Sequence, residues 1–178
     1  INFPPTIALS GNYDICPGAS AALDLASPLP TATGITYQWK YYNGTAYVNL
    51  GSANTTSGYT VTPTANTMYF CEVLCNGSFA RGTDTVLVKV QQITTSPVTS
   101  SVTCNGLSNG AITVNAFASG TTLNYTWTPN VGSTDAVSSL TAGAYTVFIV
   151  NGFNCAITQT FSIAEPIAIS STLTQTNV

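Results

Sequence analysis

Residues 35–42 read Ile-Thr-Tyr-Gln-Trp-Lys-Tyr-Tyr. In an extended chain Ile35, Tyr37, Trp39 and Tyr41 fall on one side and Thr36, Gln38, Lys40 and Tyr42 on the other, the two-residue period of a half-buried strand. Asn43-Gly44 then supplies the residue types of a tight turn. The same alternation recurs along the chain, at residues 19–25, 59–62, 68–74 and 85–90, with Cys75-Asn76-Gly77-Ser78 read as a hairpin turn between the last two. A second set follows at residues 111–117, 123–128, 136–140, 144–150 and 156–163, with Asn151-Gly152 as a turn. No segment carries a convincing 3.6-residue apolar period, so the chain reads as strands and turns throughout.

Both sets share one skeleton: a cysteine, a strand, an aromatic-x-Trp triplet, a short strand, a Tyr-led strand, an Asn-Gly turn and a final strand. In the first half these are Cys16, Tyr37-Gln38-Trp39, Tyr69 and Asn76-Gly77; in the second, Cys104, Tyr125-Thr126-Trp127, Tyr145 and Asn151-Gly152. Trp39 and Trp127 read as the core tryptophans of an immunoglobulin-like third strand, and Tyr69 and Tyr145 as tyrosine-corner residues opening the penultimate strand. The expected fold class is all-β, as tandem antiparallel immunoglobulin-like β-sandwiches. The expected modules are residues 1–92 and 93–168, parted by the Gln/Thr/Ser stretch and proline of residues 91–97. Residues 94–103 are Ser/Thr/Val-rich and lead into Cys104-Asn105-Gly106. The similar run at 167–178 lacks its cysteine, so residues 169–178 are expected to be the first strand of a following repeat in a longer array.

Composition narrows the function classes. Only 5% of residues are charged, against about 25% in an ordinary soluble domain. Solubility must rest on hydroxyls and amides, while a hydrophobic fraction of 44% argues against disorder. A net charge of −3 offers no electrostatic footprint for nucleic acid or an anionic membrane, and no apolar run approaches the roughly 18 residues needed to span a bilayer. With no histidine, neither a Ser-His-Asp nor a Cys-His arrangement can be built. The acids stand singly, and Gly-rich phosphate loops, EF-hand patterns and Asp-x-Asp runs are missing. Cys71 and Cys75 lie four apart, yet no second close pair completes a zinc set. Five cysteines in a Lys-poor chain point instead to disulfides and an oxidising compartment. No catalytic residue, metal or cofactor is expected.

Cys104-Asn105-Gly106-Leu107-Ser108-Asn109-Gly110-Ala111-Ile112-Thr113-Val114 resembles the opening of a SprB repeat. Further landmarks follow in order: Tyr125-Thr126-Trp127, Leu140-Thr141-Ala142-Gly143-Ala144-Tyr145-Thr146-Val147, Asn151-Gly152-Phe153-Asn154-Cys155 and Ala164-Glu165-Pro166. The resemblance spans about residues 98–168, with Asn124 as a departure where such repeats often carry prolines. The first half is similar to immunoglobulin-like modules of the same kind of protein, through Ile15-Cys16-Pro17-Gly18, Tyr37-Gln38-Trp39, Tyr59-Thr60-Val61-Thr62 and Tyr69-Phe70-Cys71-Glu72-Val73-Leu74-Cys75. SprB repeats belong to giant surface adhesins of gliding Bacteroidota. The resemblance implies type IX secretion, an extracellular, cell-surface location and a role in adhesion, gliding motility or filament building.

That resemblance implies a Cys104–Cys155 bridge, and it favours Cys75 as the partner of Cys16, leaving Cys71 a buried thiol. Simple immunoglobulin topology favours Cys71 as the partner, since Cys71 follows Tyr69 by two residues. It would also separate Cys104 from Cys155, so that either the strand order differs or a bridge crosses modules. Asn43-Gly44-Thr45, Asn54-Thr55-Thr56, Asn76-Gly77-Ser78 and Asn124-Tyr125-Thr126 match the N-glycosylation sequon, as chance allows in so Asn- and Thr-rich a chain. Asp84-Thr85-Val86 resembles the O-glycosylation acceptor of Bacteroidota, making Thr85 a candidate. Tyr42 and Tyr47 flank the first hairpin and are candidate ligand-facing aromatics, with Tyr41 packing inward. The expected function is a non-catalytic repeat segment of a secreted surface adhesin. Its partners would be neighbouring repeats of the same polypeptide and surface polysaccharide or other cell-surface proteins. A filament subunit assembled by strand donation and a carbohydrate-binding accessory region of a secreted enzyme are the alternatives.

Overall fold

The structure is a computed structural model that describes residues 9–10, 13–26 and 32–172. Every regular element among them is a strand. The chain divides into two compact units, Ile1–Gln92 and Ile93–Val178.

Unit 1 contains β1 (Leu9–Ser10), β2 (Asp14–Ile15), β3 (Ala21–Leu25), β4 (Ile35–Tyr42), β5 (Tyr47–Asn49), β6 (Tyr59–Val61), β7 (Thr67–Cys75), β8 (Ser78–Gly82) and β9 (Val86–Val90). One sheet runs β1-β3-β6, and a larger one runs β2-β9-β7-β4-β5, with β8 also paired to β7. Alternation sets the faces. Ala21, Leu23 and Leu25 of β3 are buried while Ala22 and Asp24 are exposed. Tyr69, Cys71 and Val73 of β7 turn inward in the same way. These residues join Trp39, Val61 and Val88 in a single core drawn from both sheets. Trp39, at 1% exposure, stands directly across from Cys71 on the neighbouring strand. Burying that indole requires a partner for its N–H, which donates to the Ser57 carbonyl at 2.9 Å.

The nine residues of β7 outrun any one neighbour on that side. β8 covers Glu72 to Cys75, and β9 covers Thr67 to Tyr69. At the gap Thr83 takes over. Its N–H donates to the Cys71 carbonyl and its Oγ1 accepts from the Cys71 N–H, both at 2.9 Å. The β7–β8 connection is the two-residue Asn76-Gly77 turn, with φ of 49° and 78°, values that suit a type I′ hairpin. β8 itself was not among the strands expected from sequence. Its Ser-Phe-Ala-Arg-Gly stretch lacks a clean alternation, and pairing with β7 is what makes it extended.

Unit 2 contains β10 (Ile93–Thr95), β11 (Val98–Ser100), β12 (Gly110–Thr113), β13 (Ala116–Ala118), β14 (Leu123–Thr128), β15 (Ala136–Leu140), β16 (Gly143–Asn151) and β17 (Ala156–Ile163). The sheets are β11-β12-β15, β14-β16-β17 and the pair β10-β13. Ile112, Val114, Trp127, Val147, Ile149 and Ile163 form its core. Trp127 repeats the arrangement of Trp39: it is 2% exposed and donates its indole N–H to the Thr134 carbonyl at 3.0 Å. Gly110 shows how tightly this core closes, because a Cβ there would lie 2.8 Å from Ile163 Cγ2 and 3.0 Å from the Leu140 carbonyl oxygen.

Three expectations need correction. The sheets are not wholly antiparallel, because β2 runs parallel to β9, Asp14 beside Lys89 and Ile15 beside Val90. The strand expected over residues 111–117 breaks in two. Asn115 adopts φ 48°, its amide donates to the Ser96 carbonyl, and the chain leaves the β11/β15 partnership for β10. Asparagine tolerates that left-handed geometry better than most residues, so the apparent continuity of alternation concealed the break. The strand expected after residue 166 does not form over residues 167–172, which pair with no described strand. Residues 173–178 of that expectation lie outside the described residues.

Candidate functional site

The cysteines differ most from expectation. Cys16 and Cys155 are disulfide-bonded, whereas Cys71, Cys75 and Cys104 are free thiols. The expected Cys104–Cys155 and Cys16–Cys75 pairings, and the alternative Cys16–Cys71, are therefore not made. Register gives the reason. Ile15 lies beside Val90, at the Thr67 end of β7 or just past it. Cys71 sits four residues along that strand and Cys75 eight, about 13 and 26 Å at the usual rise. Bridged Cα atoms lie within about 7 Å. In unit 2 the Val102 N–H donates to the Ala164 carbonyl, which puts Cys104 at one end of β17 while Cys155 precedes the other. That separation is about 30 Å.

Cys71 is fully buried, and burial pushes its thiol up to about 12, with the nearby Glu72 carboxylate adding to the shift. It is thus protonated and inert at ordinary pH. Tyr37 is raised by burial and, secondarily, by Cys71. Tyr69 and Tyr145 are both buried, but their hydroxyls differ. Tyr145 donates to the carbonyl of Thr141 at 3.0 Å, reaching back four residues as a tyrosine corner does. Tyr69 has the Thr67 side chain as its hydroxyl neighbour, and burial raises its pKa.

The richest surface chemistry lies on the solvent side of β5, β4 and β7. The Asn43 carboxamide oxygen accepts from the N–H groups of Thr45 and Ala46 and from the Thr45 hydroxyl. That fixed turn sets Tyr42 opposite Tyr47. Their ring centroids are 5.3 Å apart at 54°, and Tyr47 meets Phe70 at 4.6 Å and 74°. Lys40 lies 5.8 Å above the Phe70 ring and 2.6 Å from a Glu72 carboxylate oxygen. Phe70 joins this cluster only through the cross-strand register, which places it beside Lys40. The rings are mutually tilted, so they form a ridge and not a flat platform. A ridge of this kind presents ring edges and the Tyr42 and Tyr47 hydroxyls beside the Lys40–Glu72 ion pair.

A shallow cleft in the same unit brings together Tyr41, Tyr59, Tyr69, Leu50, Thr62 and Pro63. None of these side chains is charged. The lining of rings and hydroxyls is compatible with neutral, hydroxylated ligands. Tyr41, expected to pack inward, is half-buried here and contacts the core. A second cleft in unit 2 is lined by Phe117, Leu123, Tyr125, Thr122, Ser133 and Asp135. Thr85 is exposed in the segment between β8 and β9. Among the described residues no group of three or more His, Cys, Asp and Glu side chains gathers as a metal site would require, and no helix is long and apolar enough to cross a membrane.

Comparison with protein-family models and with curated proteins returns no match.

Proposed function

We propose that the chain is a non-catalytic repeat segment of a secreted cell-surface adhesin, each unit being an immunoglobulin-like β-sandwich that acts as spacer and binding surface. The observation that carries this reading is one strand order used twice. In unit 1, β1-β3-β6 accompanies β4-β7-β9; in unit 2, β11-β12-β15 accompanies β14-β16-β17. Labelled by the immunoglobulin convention, these are A-B-E and C-F-G, with β5 as the extra C′ strand of unit 1. Trp39 and Trp127 fall on the C strand and Tyr69 and Tyr145 on the F strand. Repetition of one β-module suits a protein that spans distance and presents surfaces. The disulfide-bonded Cys16 and Cys155 fit an oxidising, non-cytoplasmic location, and the resemblance to SprB repeats supplies the adhesin and type IX secretion expectation. Neighbouring repeats and surface polysaccharide or surface proteins are the partners in this reading.

The test is antibody labelling of intact, unpermeabilised source cells, with peptide mapping of the native polypeptide on either side of this segment. Surface labelling with further repeats supports the adhesin. Labelling confined to permeabilised cells refutes it. A filament subunit is the second reading, favoured by Ile167 and Ile169, which stand 91% and 100% exposed in an unpaired segment. An extended segment with alternate apolar side chains is suited to complete a sheet edge elsewhere. Concentration-dependent assembly that Ile167→Asp abolishes would favour it over the adhesin array.

A further inference from the structure

The chain holds five Asn-Gly pairs, at residues 43–44, 76–77, 105–106, 109–110 and 151–152. Asparagine followed by glycine is the sequence most prone to spontaneous deamidation, because glycine leaves the following amide nitrogen unhindered. The reaction has two local requirements. That amide nitrogen must be free of hydrogen bonds, and the asparagine carboxamide must be able to swing onto it. Folding withholds one or both at four of the five pairs.

At Asn43 the carboxamide oxygen holds three donors. At Asn105 the nucleophilic Gly106 N–H is bound by a Glu165 carboxylate oxygen at 3.0 Å, and the carboxamide donates to the Pro166 carbonyl. Asn109 is clamped at both ends by Thr103, and Gly110 is buried in β12, where close neighbours hold its backbone. Asn151 is 2% exposed, its oxygen accepts from the Phe153 and Cys155 N–H groups, and the Gly152 N–H donates to Thr121 Oγ1 at 2.9 Å.

Asn76 differs from all of these. It is exposed at the tip of the β7–β8 turn, and among the described residues only its own backbone N–H is engaged, to the Gly34 carbonyl at 2.8 Å. Its carboxamide rests against Gly34, and among the described residues neither the carboxamide nor the Gly77 N–H has a hydrogen-bond partner. A two-residue turn at the end of a hairpin also opens locally more readily than a ladder interior, which lets the Asn76 backbone rotate into the attacking geometry.

We propose that Asn76 is the site of spontaneous, non-enzymatic modification in this chain. The Gly77 nitrogen loses its proton to solvent base and attacks Asn76 Cγ. The Cγ–Nδ2 bond breaks, Nδ2 leaves as ammonia carrying the proton, and a succinimide forms. Water then opens either carbonyl, giving aspartate or isoaspartate with no change of oxidation state. Both products add a negative charge at the turn. Isoaspartate also inserts a methylene into a connection that has only two residues, so it disrupts the Cys75–Ser78 pairing.

The experiment is incubation of the intact folded chain in mildly alkaline buffer, followed by peptide mass mapping and enzymatic isoaspartate labelling, with a denatured control. Asn76 should convert roughly tenfold or more faster than the other four, the spread expected from hydrogen-bonded against open amides. The gap should close in denaturant. Glu165→Ala, at an exposed residue, should accelerate Asn105 by releasing the Gly106 N–H while leaving Asn76 unchanged. Conversion of any other pair as fast as Asn76 in the folded chain overturns the proposal, as does a gap that persists in denaturant. An unchanged Asn105 rate in Glu165→Ala overturns the role given to the bound amide.

Discussion

Thr83→Val tests the way unit 1 bridges the gap beside β7. The substitution preserves volume and the backbone bond from the Thr83 N–H to the Cys71 carbonyl, and removes only the acceptor at 2.9 Å from the Cys71 N–H. Cys71 is 0% exposed, so its amide cannot turn to water. An unsatisfied buried donor costs about 1–3 kcal/mol. With a urea slope of about 1–3 kcal/mol/M for a domain of this size, the midpoint should fall by about 1 M. The assay is equilibrium urea unfolding followed by fluorescence in a Trp127→Phe background, so that Trp39 reports on unit 1. Amide exchange at Cys71 should accelerate in parallel. Thr83→Ser retains the oxygen and should stay near the parent protein. A Thr83→Val midpoint within about 0.2 M of the parent, on the same slope scale, would sink the argument, as would a Thr83→Ser loss equal to that of valine.

Three other outcomes follow from the same geometry. Gly110→Ala should lose about 1–3 kcal/mol by overpacking against Ile163 and the Leu140 carbonyl, measured by thermal or denaturant unfolding, whereas Gly44→Ala, whose Cβ would meet nothing within 4 Å, should show only the strain of its φ of 101°. Tyr145→Phe, which deletes the bond to the Thr141 carbonyl, should cost about 0.5–1.5 kcal/mol; no loss in a melting experiment would remove the corner from the list of stabilising features. For Cys71 the folded thiol is held at about 12 against an ordinary 9.0, so between those two pH values the unfolded chain has released a proton that the folded chain retains. Stability therefore falls as pH rises through that window and is unaffected by this group below it. Cys71→Ala should flatten that part of the pH–stability curve, and an unchanged curve would contradict the assignment.

Much of the fold was legible because alternation reports burial directly. The strand over residues 35–42 appears with its expected bounds, as do those over 123–128, 136–140 and 156–163. Both tryptophans lie in cores for the same reason: each sits on the apolar side of an alternating strand. β2 and β10 carry too few residues to show a period and β8 lacks a clean alternation, so the extension of all three depends on a partner supplied from elsewhere in the chain. The cysteine pairing was illegible because it depends on which strand ends meet, and strand-end proximity is a property of register and not of composition. The surface cluster was half legible. Tyr42 and Tyr47 flank a visible turn, but Phe70 reaches them only because β4 and β7 align Lys40 with it. The Lys40–Glu72 pair escaped notice because the two residues lie 32 positions apart.

The parallel pairing of β2 with β9 has a mechanical consequence. Tension applied to the two ends of unit 1 would pull these strands lengthwise past one another, since one lies near the beginning of the unit and the other near its end. The bonds from Lys89 N–H to the Tyr13 carbonyl at 2.6 Å and from Gln91 N–H to the Ile15 carbonyl at 2.8 Å, together with the Gln91 amide on Asp14 at 2.6 Å, would then bear load side by side. Bonds loaded in shear must rupture together, whereas an antiparallel hairpin peels open one rung at a time. These bonds would thus resist together the sliding of β2 along β9.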